Sequence, residues 1–156
     1  LIPIMCKKYN LKGLLIGRKG CGLAEKCSGN LIELDKLPYW DFMREICKSR
    51  FTFIPNIYDA SPRTLTQSLS CNVPVLLNKN ILGGWKYINK NTGEFFSDKS
   101  DFEEGLKKII KNMKKYKPHD WFSKHYGPIN SGKRLKKFIE EIYPEVSETK
   151  LIKFKL

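Results

Sequence analysis

Four short apolar runs, alternating with stretches of helical spacing, constrain this chain more than anything else in it. Leu11-Lys12-Gly13-Leu14-Leu15-Ile16-Gly17 reads as a buried strand entering the turn Gly17-Arg18-Lys19-Gly20. Leu31 to Leu34 is a second strand, followed by Asp35-Lys36-Leu37-Pro38, and Phe51 to Pro55 and Val73 to Leu77 are the third and fourth. Leu1 to Tyr9 reads as the end of a helix, and Tyr39 to Ser49 is spaced as a helix through Trp40, Met43 and Cys47. A helix of about ten residues fits between the third and fourth strands. Strands of nearly continuous apolar character cannot face water on either side. The expected fold is therefore α/β, a Rossmann-like parallel sheet with helices on both faces.

The last third of the chain continues in helices. Ser100-Asp101-Phe102-Glu103 has the form of a capping box, and Phe102, Leu106, Ile109, Ile110 and Met113 follow as an apolar stripe. After a loop from about Lys117 to Gly132, Leu135, Phe138, Ile139 and Ile142 mark one face of a final helix, with Trp121, Phe122 and Tyr126 expected to pack these helices onto the sheet. Residues 1–146 form the expected domain, and 147–156 a mobile or docking tail.

Composition excludes several classes. With 156 residues and 41% hydrophobic content, the chain can build a core. No apolar stretch approaches the ~20 residues a membrane span needs. Five cysteines without a C-x-x-C spacing suggest neither a disulfide framework nor a zinc knuckle. A reducing, cytoplasmic location is the expectation, with peripheral membrane contact left open. The net charge of +13 is spread along the chain and carried by 24 Lys against 5 Arg, a bias that an AT-rich genome produces as readily as selection for phosphate contacts. Nucleic acid is therefore not the expected partner. His119 and His125 lack a third ligand at metal spacing, so no metal site is expected.

The chemistry concentrates at the ends of the third and fourth strands. In Tyr58-Asp59-Ala60-Ser61-Pro62-Arg63-Thr64-Leu65-Thr66-Gln67-Ser68-Leu69, Ser61 is a natural N-cap and Pro62 suits the first helical position. Leu65 and Leu69 face the core, while Arg63 and Gln67 share the polar face. A helix N-terminus, a nearby Arg and the strand-end carboxylate of Asp59 suit a ligand bearing phosphate and hydroxyls. Asp59 capping a turn and Arg63 pairing with a surface carboxylate is the plainer reading, and the residues alone leave both open. Beyond the fourth strand, Gly83-Gly84 lets backbone approach a ligand closely.

Taken in order, these segments resemble the carboxyl-terminal lobe of GT-B glycosyltransferases, most closely glycosyltransferase family 4. That lobe carries two glutamates separated by seven residues, a small residue before Pro-Val, a strand and a Gly-Gly loop. Here Asp59 and Gln67 are separated by seven residues, and Ser68-Leu69-Ser70-Cys71-Asn72-Val73-Pro74-Val75 and Gly83-Gly84 follow. Thr92-Gly93-Glu94-Phe95-Phe96 matches the family's Thr-Gly strand before its capped helix. Asp59 is one methylene shorter than the family's first Glu, Gln67 lacks the charge of the second, and Ala60-Ser61-Pro62 replaces a Gly-Phe-Gly.

The resemblance implies a retaining glycosyltransferase that uses a nucleotide-diphosphate sugar without a metal or other cofactor. It makes Asp59 the candidate catalytic group, touching sugar hydroxyls, and Gln67 the ribose ligand. Ser61, Arg63, Thr64, Gly83 and Gly84 become donor sugar or phosphate contacts. Arg18, Lys19, Asp35 and Leu37 are candidate diphosphate or base contacts. The implied partners are a nucleotide sugar and a glycan, glycoprotein or glycolipid acceptor. In the family a further strand with a cationic loop and a whole acceptor lobe precede this part, so the chain is expected to be a fragment of a larger transferase that meets its own N-terminal lobe. A nucleotide-sugar epimerase of GT-B fold and a basic nucleic-acid-binding module are the rival readings.

Overall fold

A computed structural model describes residues 1–144, and the expected tail at 147–156 lies outside the described residues. The chain is α/β with exclusively parallel strand pairs among the described residues. In order, it runs α1 (Ile2–Lys8), β1 (Gly13–Ile16), β2 (Leu31–Leu34), α2 (Tyr39–Lys48), β3 (Thr52–Ile54), α3 (Arg63–Ser70), β4 (Val75–Asn78), β5 (Gly93–Phe96), α4 (Phe102–Lys111), α5 (Pro118–His125) and α6 (Pro128–Ile142). No described helix is long and apolar enough to cross a membrane.

β4 organises the core. It pairs in parallel with β3 on one side, Thr52 to Val75, and with β5 on the other, Val75 to Gly93. Alternate residues leave it in opposite directions. Leu76 enters a cluster with Phe96, Phe102, Leu106 and Ile109, which joins α4 and α1 to one face. Val75 and Leu77 enter a second cluster with Leu65, Leu69, Ile81 and Ile88, which holds α3 and, through Phe122, α5 on the other. Each fully buried side chain of this size contributes about 1.5–3 kcal/mol of hydrophobic stabilisation. The strand begins two residues later than its apolar run, because Pro74 has no N–H for the ladder and its carbonyl instead accepts the Thr52 N–H at 3.0 Å.

The strands do not form one continuous sheet. Among the described residues β1 pairs with β2 alone, and β3, β4 and β5 form a separate sheet. α1 spans both parts: Met5 belongs to the β4 cluster, Cys6 packs with Cys27 and Leu31 beside β2, and Ile2 packs against both clusters. Burial in the smaller sheet is correspondingly incomplete, with Leu14 and Ile32 exposed. The expected full burial of the first strand does not hold, since a two-stranded sheet offers too little surface to cover both faces.

Local sequence signals shift in four places. In α2 the fully buried residue is Ile46, whereas Trp40 and Cys47 of the expected stripe are exposed, which turns the helix by one residue relative to the reading through Trp40, Met43 and Cys47. α3 has Pro62 rather than Ser61 at its N-cap. The capping box at Ser100 does not form. Asp101 occupies the N-cap of α4, and its carboxylate turns back to accept the Ser97 hydroxyl at 2.7 Å and the Ser97 and Asp98 N–H groups. Glu103 instead accepts Lys8 Nζ at 2.6 Å and the Tyr9 hydroxyl at 2.8 Å, tying α4 to the end of α1. The expected loop from Lys117 to Gly132 is instead largely helical, holding α5 and the start of α6; α6 buries no residue, and Asn130 and Arg134 fasten it to backbone carbonyls at the end of α5.

The Asp101 network carries a pH signature. Hydrogen bonds from Ser97, first from its hydroxyl and then from its N–H, hold the Asp101 carboxyl at about 2, below its ordinary 3.8. A depressed carboxylate stabilises the fold above the ordinary value and loses that contribution as pH falls through the folded one. Asp101→Asn is therefore expected to melt below the native protein at neutral pH, and the gap should close as pH drops from 3.8 to about 2. Thermal melting at stepped pH checks this; a gap that persists at the acid end would remove Asp101 from the account.

Candidate functional site

The carboxyl ends of β3 and β4 lead into two turns that are bonded to each other. Leu82 N–H donates to Ile57 O at 3.0 Å, and Gly83 N–H to Asp59 O at 3.0 Å. Within the first turn, Ser61 N–H donates to Asp59 Oδ1 at 2.9 Å. The Asp59 carboxylate therefore shapes the turn with one oxygen, as aspartate commonly does two residues ahead of an amide. The glycine pair is required here by the chain itself. A Cβ on Gly83 would stand 1.9 Å from Ala60 O, and Gly84 adopts φ +87° against Pro62. The close approach expected of this loop is thus made by the preceding turn.

Between these turns and the start of α3 lies a cleft of about 320 Å³. Ser61, Arg63, Gly83 and Gly84 line it as expected. Asp59, Thr64 and Gln67, expected at the site, are not lining residues; the Asp59 carboxylate is turned to the Ser61 amide. Thr64 O accepts the Ser68 hydroxyl at 2.7 Å. Thr66 and Gln67, three and four residues beyond Arg63, sit to either side of it on the same face of the helix, and the cleft takes the Thr66 side.

Sequence reasoning missed Thr66, Leu82, Trp85, Lys86 and Tyr87 as lining residues. For Leu82, Trp85, Lys86 and Tyr87 the signal was continuity with the Gly-Gly loop, which turns back at once because Tyr87 N–H bonds Gly84 O at 3.0 Å, and for Thr66 it was a place three residues beyond Arg63 on α3. Tyr87 then packs edge-on against Phe122 and Tyr126, at centroid distances of 5.9 and 4.7 Å, and Lys86 Nζ lies 5.2 Å from the Tyr87 ring centroid. The aromatic groups of α5 thereby hold one wall of the cleft.

Electrostatically the cleft has one sign. Arg63 and Lys86 are its charged residues, no carboxylate lines it, and neither cation pairs with a carboxylate among the described residues. The α3 N-terminus opens beside them without a side-chain cap, adding the partial positive charge of unpaired N–H groups. An anion with hydrogen-bonding oxygens fits this arrangement.

The other candidates sit at the carboxyl ends of β1 and β2. Lys19 Nζ pairs with Asp35 Oδ2 at 3.2 Å, both exposed, and Arg18 and Leu37 lie in the same two turns. The Gly17-to-Gly22 turn is filled from within. Glu33 accepts Gly20 N–H at 2.8 Å, Cys21 N–H at 3.1 Å and Ala24 N–H at 2.9 Å. The bond from Ala24 N–H, followed by that from the Cys21 thiol at 3.2 Å, holds the Glu33 carboxyl below its usual range. No hydrogen bond or ion pair joins this group to the cleft among the described residues. His119 and His125 are engaged by backbone, through Ser70 O at 2.9 Å and Trp121 O at 2.8 Å. No group of His, Cys, Asp and Glu side chains suited to a metal ion occurs among the described residues.

In comparison with known proteins, no family model matches the chain and no curated protein matches its sequence.

The contact between the two turns makes a testable contrast of glycines. Gly83→Ala places a methyl group against Ala60 O and should destabilise the fold by about 1–3 kcal/mol. Gly132→Ala in α6 meets open space at a helical position and should stabilise by about 0.5–1 kcal/mol. Urea denaturation of both variants decides the matter, and equal effects would mean that the two turns are not in contact.

Proposed function

We propose that this chain is the donor-binding lobe of a retaining, family 4-like glycosyltransferase, and that the cleft at the start of α3 holds the diphosphate of a nucleotide sugar. The observation that carries the reading is the joining of Arg63, Lys86 and an uncapped helix N-terminus in a cleft lined by no carboxylate. Sugar transfer from such a donor leaves negative charge on the departing diphosphate. Preoriented cations and helical N–H groups stabilise that charge as it develops.

On this reading, Ser61 and the Gly83-Gly84 loop border the phosphates. Asp59 Oδ2, the oxygen not used by the turn, meets a hexose hydroxyl, and Gln67 meets the ribose from the adjoining helix face. The acceptor, a glycan, glycoprotein or glycolipid, is held by a separate N-terminal lobe. The same reading calls for one more parallel strand. Among the described residues β1 and β3 each have an edge without a partner in their own sheet, and α1 packs across both sheets, so such a strand would pair between them.

Calorimetric titration with nucleoside diphosphates tests the site. Saturable binding is expected, and Arg63→Ala or Lys86→Ala should each remove a charge-assisted contact of about 1.5–3 kcal/mol, roughly a 10- to 100-fold loss. Absence of binding, or binding indifferent to both variants, would sink the assignment. Sugar turnover without an acceptor would favour an epimerase, and tight binding to RNA or DNA with a steep salt dependence would favour a nucleic-acid module.

The two side chains carried over by resemblance should separate kinetically in the full-length enzyme. Gln67→Ala removes a contact made equally in ground and transition states and should act mainly on KM. Asp59→Ala disturbs the orientation of the sugar and should lower kcat. An unchanged kcat with a lowered melting temperature would leave Asp59 the turn-shaping role alone.

A further inference from the structure

Two of the five cysteines meet at the end of the molecule away from the cleft. Cys47 lies in the last turn of α2, and Cys71 is the residue that ends α3. Their Sγ atoms stand 2.7 Å apart, against the roughly 2.05 Å of a disulfide bond. Both backbones are set by helical hydrogen bonding. Cys71 N–H is bonded to Gln67 O and Ser68 O, each at 3.1 Å, and Val73 N–H returns to Ser68 O at 2.9 Å. The sulfurs therefore already face each other across the two helix ends.

We propose that Cys47 and Cys71 form an oxidisable dithiol that closes to a disulfide by exchange with a low-molecular-weight disulfide such as oxidised glutathione. Cys47 is exposed and takes the first step: its thiolate attacks one glutathione sulfur, and the first glutathione leaves as a thiol carrying the proton given up by Cys47. Cys71 Sγ then attacks Cys47 Sγ, the mixed disulfide breaks, and the second glutathione departs with the proton from Cys71. Two protein thiols are oxidised, one disulfide is reduced, and atoms and electrons balance.

The surroundings set the character of this pair. Burial, and then the hydrogen bond with Cys47, push the Cys71 thiol up to about 12. Cys71 also ends its helix, where the dipole disfavours a thiolate. Redox catalysts do the reverse, placing a reactive cysteine at a helix N-terminus. Closure here is slow, quickens with rising pH, and clamps α2 to α3. The segment enclosed by the bridge includes β3, the Asp59 turn and all of α3, one whole wall of the cleft.

The test incubates the reduced protein with excess oxidised glutathione at mildly alkaline pH, blocks remaining thiols, and maps unreduced peptides by mass spectrometry. The expected product links Cys47 to Cys71, lowers the free thiols from five to three, and melts roughly 5–10 °C above the reduced form. Cys47→Ser should abolish both the link and the thermal gain. A stable glutathione adduct on Cys47 without a cross-link would overturn the proposal. So would a bridge formed instead by Cys6 and Cys27, or a Cys47–Cys71 link without thermal gain.

Discussion

The double-sided burial of β4 is the constraint on which the larger sheet and its helices depend. All four residues of the strand are buried, and the strand has a partner on each edge. Its ladder is matched by close backbone contact: Gly93 stands where a Cβ would fall 2.0 Å from Val75 O, and Gly105 brings α4 down so that a Cβ would lie 2.7 Å from Phe95 O. Small residues at these two positions let β5 and then α4 approach. Phe96 and Phe102 can then meet at 5.4 Å above Leu76. A side chain at either glycine would push these layers apart, which is how a local absence of atoms supports the largest aromatic contacts in the core.

The position of the cleft follows from that core. Leu65 and Leu69 bury one side of α3 against Val75 and Leu77, so the axis of the helix is fixed by apolar packing and its N-terminus is carried to the carboxyl ends of β3 and β4. Backbone hydrogen bonds between the turns at Ile57 to Asp59 and Leu82 to Gly83 then set the width of the opening. Apart from the Asp59 carboxylate, which shapes the first turn, charged residues take no part in building this frame. Arg63 and Lys86 are left exposed and unpaired among the described residues, on a scaffold assembled from apolar faces and main-chain bonds.

The elements that sequence reveals here are those whose cause is local. Leu65 and Leu69, four residues apart, announce the buried side of α3, and the continuous apolar run around Val75 announces a strand covered twice. What sequence does not reveal is decided at a distance. The division into two sheets depends on which strand edges meet, and no residue pattern records that. Ser100 and Glu103 have the spacing of a capping box, yet Lys8 and Tyr9, far away in sequence, compete for Glu103 and prevail. At the site, Arg63 and the glycines were legible because helix starts and glycine pairs have few uses. Lys86 was not, since one lysine among 24 carries no distinguishing mark until the loop folds it onto Tyr87.

The two strand-end turns of the molecule present the same physics with opposite outcomes. In the first, Gly17 and Gly20 adopt positive φ, and the following amides converge on an anion that the chain supplies itself, the carboxylate of Glu33. Its capacity for negative charge is spent on holding β2 to the turn. In the second, Asp59 turns its carboxylate inward to one amide, the glycines give up their space to neighbouring backbone, and the cations and helix N-terminus face outward with no internal anion. A fold that satisfies one set of donors internally and leaves another open has separated structural from available charge. The available charge is at the start of α3, where the proposed donor diphosphate would be the anion that completes it.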